Sequence, residues 1–150
     1  MTRIFIRWCS LLLLGVVTLA YAEQISEQSL LLSLTHSGQA IKLEAVVVKN
    51  VPFHAPLPDT GFTYRYLLLS QDNRTLYTGS FHDPLDVYTD DFSDPARPRG
   101  GRITQNRATF ILSAPYLPEA KRIRFQRQTA EDPQPVPMGE SPLTLTAVRP

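Results

Sequence analysis

The sequence predicts an all-β protein, an antiparallel immunoglobulin-like β-sandwich of seven or eight strands. Short runs in which apolar and polar residues alternate recur along the chain, as in half-buried strands. Proline, glycine and polar turn residues separate these runs at roughly even spacing, and no convincing amphipathic helix interrupts them. Regularly spaced short strands without helices are typical of two antiparallel sheets that pack face to face.

The first two strands are predicted over Gln28 to His36 and Ala40 to Lys49, joined by a turn at Ser37 to Gln39. In the first strand, leucines alternate with polar residues. In the second strand, one face is expected to carry Ile41, Leu43, Ala45 and Val47. Val46 and Val48 break this alternation, so the end of the second strand is expected to be covered on both faces.

The clearest strand is predicted over Phe62 to Ser70, where four large residues share one face: Phe62, Tyr64, Tyr66 and Leu68. A polar turn leads into a second strand, Thr75 to Phe81, so the two strands form a hairpin. The preceding segment, Asn50 to Gly61, holds three prolines. Because proline cannot donate to a sheet ladder, this segment is expected to be a loop or an edge crossover.

The second half of the chain is predicted to contain further strands separated by a basic loop and a proline-rich spacer. Ile123 and Phe125 are expected to point inward, between outward arginines. The predicted strands are Asp86 to Phe92, a strand ending near Pro115, a strand within Ala120 to Gln128, and Leu143 to Val148 after the spacer at Glu131 to Pro142.

The first 22 residues are typical of a secretory signal peptide. Arg3 and Arg7 precede an apolar run, and Ala20-Tyr21-Ala22 provides the small residues that signal peptidase requires. The run is shorter than the roughly 20 residues of a spanning helix, so no membrane span is expected after cleavage. We therefore predict one secreted or periplasmic domain, residues 23–150, cleaved after Ala22 and beginning with a segment that could form a helical turn.

Composition excludes several functions for the processed domain. The only cysteine, Cys9, would be removed with the signal peptide. The processed domain would therefore have no disulfide, thiol nucleophile or thiolate metal site. Removing Arg3 and Arg7 from the 15 basic residues leaves 13 against 14 acidic ones. This balance argues against a nucleic-acid partner, which requires a net basic surface. No cofactor is predicted.

The segment Phe81 to Gly101 contains five aspartates and a histidine, which makes it a candidate cation site. Carboxylate oxygens suit calcium, and a histidine beside an aspartate could begin a zinc site. The spacing of a calcium-binding helix-loop-helix is missing, and interleaved apolar residues favour a solvated edge strand. A calcium- or zinc-binding secreted protein remains an alternative, with these weak candidate ligands: His82, Asp83, Asp86, Asp90, Asp91 and Asp94.

Two loops are the predicted recognition surfaces, because loops at the ends of a rigid sandwich commonly carry binding residues. These loops are Pro52 to Gly61 and Phe81 to Arg102. If they share one end of the sandwich, the binding hypothesis gains support, and if they lie at opposite ends, it loses support. The arginines of the second loop could join those around Arg124 in one anion-binding patch, or they could simply face solvent. The candidate surface residues are His54, Tyr88, Arg97, Arg99 and Arg102.

No catalytic residue is predicted, since the sequence has no Gly-x-Ser-x-Gly elbow and no strand-turn-helix to hold one. A hydrolase with an unrecognised site remains a further alternative, because any two acids could face each other across a cleft. The favoured function is a non-enzymatic binding or accessory module. Its partner would be another secreted or envelope protein, or a glycan.

Two segments, "LTHSGQAIKLEAVVV" at Leu34 to Val48 and "GFTYRYLLLSQDNRTLYTGSF" at Gly61 to Phe81, carry a family resemblance. They resemble the non-catalytic immunoglobulin-like N-terminal domain of the secreted bacterial IgA metallopeptidase family. The shared order is a His-x-Gly turn, a strand, a proline-bearing loop, then an aromatic strand and a hairpin ending in Gly-x-Phe. The resemblance implies a fold and an exported module. The His-Glu-x-x-His motif of that family's catalytic domain is missing from this sequence, so no catalytic residue is carried over.

Overall fold

The structure is a computed structural model that describes residues 24–56, 63–91, 99–128 and 134–145, of which 24, 90, 91 and 99 are described by their backbone alone. Within these ranges every regular element is a β-strand and every strand pair is antiparallel. The prediction of an all-β, antiparallel protein is therefore confirmed. These ranges contain no helix that could cross a bilayer. The predicted signal peptide lies outside the described residues.

The described strands form four sheets. The first sheet has the strand order β3-β2-β9 and the second has the order β11-β10-β5-β6, while β1 pairs with β4 and β7 pairs with β8. This arrangement does not confirm the predicted count of seven or eight strands or the immunoglobulin-like type. The strands are β1 Gln24–Ser26, β2 Ser29–His36, β3 Ile41–Lys49, β4 Phe53–His54, β5 Tyr64–Leu69, β6 Thr75–Phe81, β7 Asp86–Asp91, β8 Arg99–Thr104, β9 Ala108–Pro115, β10 Arg122–Arg127 and β11 Val136–Pro142.

The first and second sheets share one hydrophobic core. Its residues come from the inward faces of both sheets, as alternating apolar residues require when two sheets pack together. Leu32 of the first sheet and Leu68 and Phe125 of the second have no exposed surface. The predicted inward direction of Ile123 and Phe125 is confirmed, since both side chains are fully buried.

The backbones of the two sheets approach each other closely along one side. Along the other side the backbones are further apart, and side chains bridge the gap. On the close side, Gly139 of β11 lies so near Ile41 of β3 that a Cβ atom at residue 139 would collide with the Ile41 carbonyl. On the open side, the edge strands β6 and β9 are not hydrogen-bonded to each other. Their contact there includes the rings of Phe81 and Phe110, whose centroids lie 5.6 Å apart.

A β-bulge in β3 changes which of its residues face the core. Consecutive residues of β2 pair with Ala45 and Leu43, which leaves Glu44 as an extra residue. Because side chains alternate with a period of two, one extra residue exchanges the faces of the strand. The predicted inward face is correct at Leu43 but wrong beyond Glu44, where Val46 and Val48 pack against the core.

Segments near the ends of the chain and in its middle differ from the sequence-based prediction. Gln24–Ser26 is strand β1 rather than a helical turn, and Leu143 to Leu145 form no strand. Strand β8 lies in the predicted basic loop, and β11 lies in the predicted spacer. Each of these three strands is held by pairing with a partner elsewhere in the chain, which local alternation cannot reveal.

Candidate functional site

A groove opens on the open side of the two sheets, between β9, β4 and the edge strand β6. Its volume is about 770 Å³, within the range of about 300–1,000 Å³ found for small-molecule sites. Most of its surface is apolar. The groove is lined by Ser29, Leu31, Lys49, Val51, Pro52, Phe53, His54, Pro56, Tyr66, Ser80, Leu112 and Ser113.

Tyr66 forms the floor of the groove. Its hydroxyl reaches across the open side from β5 and donates to the backbone carbonyl of Ser113 on β9, at 3.3 Å. Its ring covers Gly79, the residue opposite it on β6, where any side chain would collide with the ring. Burial raises the pKa of Tyr66, so the phenol stays neutral and remains a hydrogen-bond donor.

The wall of the groove is the segment that follows β3. The hydroxyl of Ser29 donates to the carbonyl of Val51 at 2.8 Å, which fixes the start of this segment. The buried Phe53 ring then meets the Tyr77 ring edge to face, with centroids 5.8 Å apart. Although its carbonyl is held in this way, Val51 is 58 % exposed. The wall is therefore held in place while its apolar surface stays open to solvent.

Among the described residues, the rim of the groove carries basic side chains and no acidic ones. Lys49 and His54 are both exposed, and no carboxylate lines the groove. No ion pair connects Lys49 with another of the described residues. An apolar groove with one such ammonium group at its edge is suited to a largely apolar ligand.

Of the predicted surface residues, His54 is the one that the structure places at the groove. Tyr88 is 78 % exposed and lies opposite Arg102 on the ribbon, the two-stranded unit β7–β8. Arg99 is described by its backbone alone, and Arg97 lies outside the described residues. Tyr66 was missed as a site residue because alternation assigns it to the core, where most of its ring does lie.

The two predicted recognition loops begin at opposite ends of the sheets. Ser29 pairs with Lys49, so Val51 and the residues after it lie at that end of β2. The other end of β2 is His36, whose ring contacts Tyr64 beside the last residue of β6, and the ribbon leaves from there. The described parts of the loops therefore do not form one surface, so the predicted binding surface made of both loops loses support.

The acidic segment engages its described carboxylates within the chain. Asp86 accepts hydrogen bonds from Arg102 and from the Thr104 hydroxyl, the latter at 2.9 Å, and these donors lower the pKa of Asp86. Asp83 accepts from the backbone amide of Leu85, also at 2.9 Å. His82 is exposed. Asp90 and Asp91 are described by their backbone alone, and Asp94 lies outside the described residues.

The described ranges contain no group of three or more histidine, cysteine, aspartate or glutamate side chains that could hold a metal ion. Two of the arginines considered for an anion-binding patch are also engaged. Arg122 and Arg124 both bind Glu140, with nitrogen–oxygen distances of 2.9 and 2.7 Å. These hydrogen bonds, chiefly that from Arg124, lower the pKa of Glu140.

A buried histidine lies at the end of the sheets from which the ribbon leaves. His36 has no exposed surface, and its Nδ1 accepts a hydrogen bond from the Gly38 amide at 2.7 Å. Its Nε2 has no hydrogen-bond partner within the part of the chain that the structure describes. Burial lowers the pKa of His36, against the opposing effect of nearby Asp83 and with a smaller contribution from Arg127. The folded state therefore favours a neutral imidazole.

This histidine gives a prediction for the pH dependence of stability. Below about pH 6.5 the His36 imidazole is protonated in the unfolded chain, whereas burial disfavours its protonation in the folded chain. We therefore expect the free energy of unfolding to fall as the pH drops from 7.5 to 5.5. In His36→Asn, whose amide oxygen can still accept from Gly38, this fall should be smaller in urea titrations at both pH values. A pH dependence in His36→Asn equal to that of the unmodified chain would contradict this role of His36.

Comparisons with known proteins give no relative: no protein-family model, no curated protein and no solved structure matches the chain.

Proposed function

We propose that the protein is a secreted or periplasmic binding module, without enzymatic activity, that holds an apolar ligand or an apolar part of a partner in the groove. The scaffold would be a two-sheet sandwich of immunoglobulin-like type, exported by the predicted signal peptide. The resemblance to the non-catalytic domain of the IgA metallopeptidase family is compatible with such a module. The protein could equally serve as an accessory module that binds part of another envelope protein through the same groove.

The observation that carries this proposal is the groove itself. Its floor and wall are fixed by buried contacts of Tyr66 and Phe53, whereas Val51 presents apolar surface to water. Exposed apolar surface that is concave and rigidly held is the usual form of a ligand site. At the acidic ribbon, by contrast, the Asp86 carboxylate is already engaged by Arg102 and Thr104. The groove is therefore a better-supported site than the cation alternative.

The proposal can be tested with the neutral fluorescent dye Nile red, which becomes bright in apolar sites. We expect the purified chain to bind the dye saturably at one site. Ser113→Trp should weaken this binding at least about tenfold, equivalent to about 1.4 kcal/mol, because the indole would occupy the groove. The measurement is a fluorescence titration at constant dye concentration.

Thr109→Trp is the matched control for this test. Thr109 and Ser113 both lie exposed on β9 and four residues apart, so their side chains share one face of the strand. Only Ser113 lines the groove. Equal binding by both variants would place the dye elsewhere, and no saturable binding by the unmodified chain would contradict the proposed function.

A further inference from the structure

We propose that the groove selects a free amphiphile with one anionic head group, such as a fatty acid, with the alkyl chain in the groove and the carboxylate beside Lys49. This inference rests on the proposed function and specifies the ligand class of the same site. The observation behind it is the charge of the rim, which is separate from the shape of the groove.

The apolar lining provides a path for an alkyl chain. Leu31 of the central strand β2 and Leu112 of the edge strand β9 are half-buried, and Val51 of the wall is exposed. Two hydroxyl groups of the floor and wall are already engaged, because Tyr66 donates to Ser113 and Ser29 donates to Val51. An alkyl chain can cover these side chains without leaving either of these donors unpaired.

The rim provides the charge selection. Lys49 ends β3 immediately before the wall segment, and this exposed residue lines the groove. No carboxylate among the lining residues neutralises it. A bound carboxylate would therefore gain an attraction to Lys49, whereas a quaternary ammonium would meet a like charge.

The test compares two ligands with equal alkyl chains, dodecanoate and dodecyltrimethylammonium, each below its micelle concentration. By calorimetry we expect the unmodified chain to bind dodecanoate about tenfold more tightly. Lys49→Glu should weaken dodecanoate binding about tenfold and favour the cationic ligand instead. Lys42→Glu has the same change of net charge, but residue 42 lies outside the groove and is paired with Glu44 at 3.2 Å. This control should keep the preference for dodecanoate.

The possible outcomes separate this inference from the proposed function. If both ligands bind equally and Lys49→Glu changes neither affinity, charge selection is refuted although an apolar site remains. If neither ligand binds but Nile red does, the amphiphile is the wrong ligand class and the groove still binds. If anionic vesicles bind the chain and free dodecanoate does not, the ligand is a membrane surface and the inference is overturned. If the dye also fails to bind, the proposed function fails with it.

Discussion

Replacing Phe125 by alanine is expected to lower the free energy of unfolding by about 3–5 kcal/mol. Phe125 has no exposed surface and lies on β10, between β5 and β11 in the second sheet. Its neighbours across the strands are Tyr66 and Gly139, so the ring connects the floor of the groove with the close side of the sheets. Removing it leaves a cavity that strands held in sheets cannot readily fill.

Urea denaturation of the purified chain measures this loss, and Ile111→Ala is its control. Ile111 is also a large apolar residue on a strand, but it is 71 % exposed. Its truncation should therefore change the free energy of unfolding by less than about 1 kcal/mol. Similar losses in the two variants would mean that Phe125 is not enclosed, and the shared core would be incorrect.

The second large effect is expected for Gly139→Ala, which should lower stability by about 3 kcal/mol or more. Gly139 has a φ angle of 149°, which residues with a side chain rarely adopt. In addition, the new Cβ would collide with the carbonyl oxygen of Ile41 on β3. Backbone cannot move aside as a flexible side chain can, so β11 and β3 would have to separate.

Thermal unfolding of Gly139→Ala should therefore show a midpoint lower by at least about 10 °C, or no cooperative transition. The same substitution at Gly101 is the control. Gly101 is exposed on the ribbon, and an added Cβ there would lie 3.1 Å from the Thr89 hydroxyl and 3.9 Å from the Thr89 carbonyl oxygen. A small effect at both glycines would show that the two sheets are not in close contact along this side.

The strands that pack on the core could be predicted from the sequence because burial of one face makes apolar and polar residues alternate along the strand. The predicted Gln28–His36 strand is observed as Ser29–His36, and Thr75–Phe81 is observed with the predicted bounds. Both have one face that must be apolar, and that requirement is visible locally. The bulge at Glu44 is not visible in this way, since an extra residue is revealed only by the partner strand.

The ribbon and β11 could not be predicted for a related reason. Strand β8 contains Gly100 and Gly101 and, among the described strands, pairs with β7 alone. Its described residues are exposed, so no buried face imposes alternation. Strand β11 begins and ends near prolines, which normally argue against a strand. It lies at the edge of its sheet, and proline is tolerated there because one side of the backbone has no strand partner.

The groove is the least predictable feature of the molecule. Its residues come from distant parts of the chain and meet only because β6 and β9 remain apart on the open side. His54 was a candidate because it falls within the predicted recognition loop Pro52 to Gly61. Nothing local distinguishes Lys49 from a solvated lysine at the end of a strand, or Tyr66 from an ordinary core residue. Their proposed roles depend on the gap between the edge strands β6 and β9.

Nuclear magnetic resonance of the ¹⁵N-labelled chain tests the groove most directly, with octanol as a small neutral ligand that needs no charge on the rim. During the titration, we expect the amide signals that move to be those of Leu31, Val51, Ser80, Leu112 and Ser113, which meet only at the groove. Saturable shifts limited to these amides would locate the ligand there. Shifts centred on Tyr88 and Ile103 of the ribbon, or no saturable shift at all, would contradict the groove as the binding site.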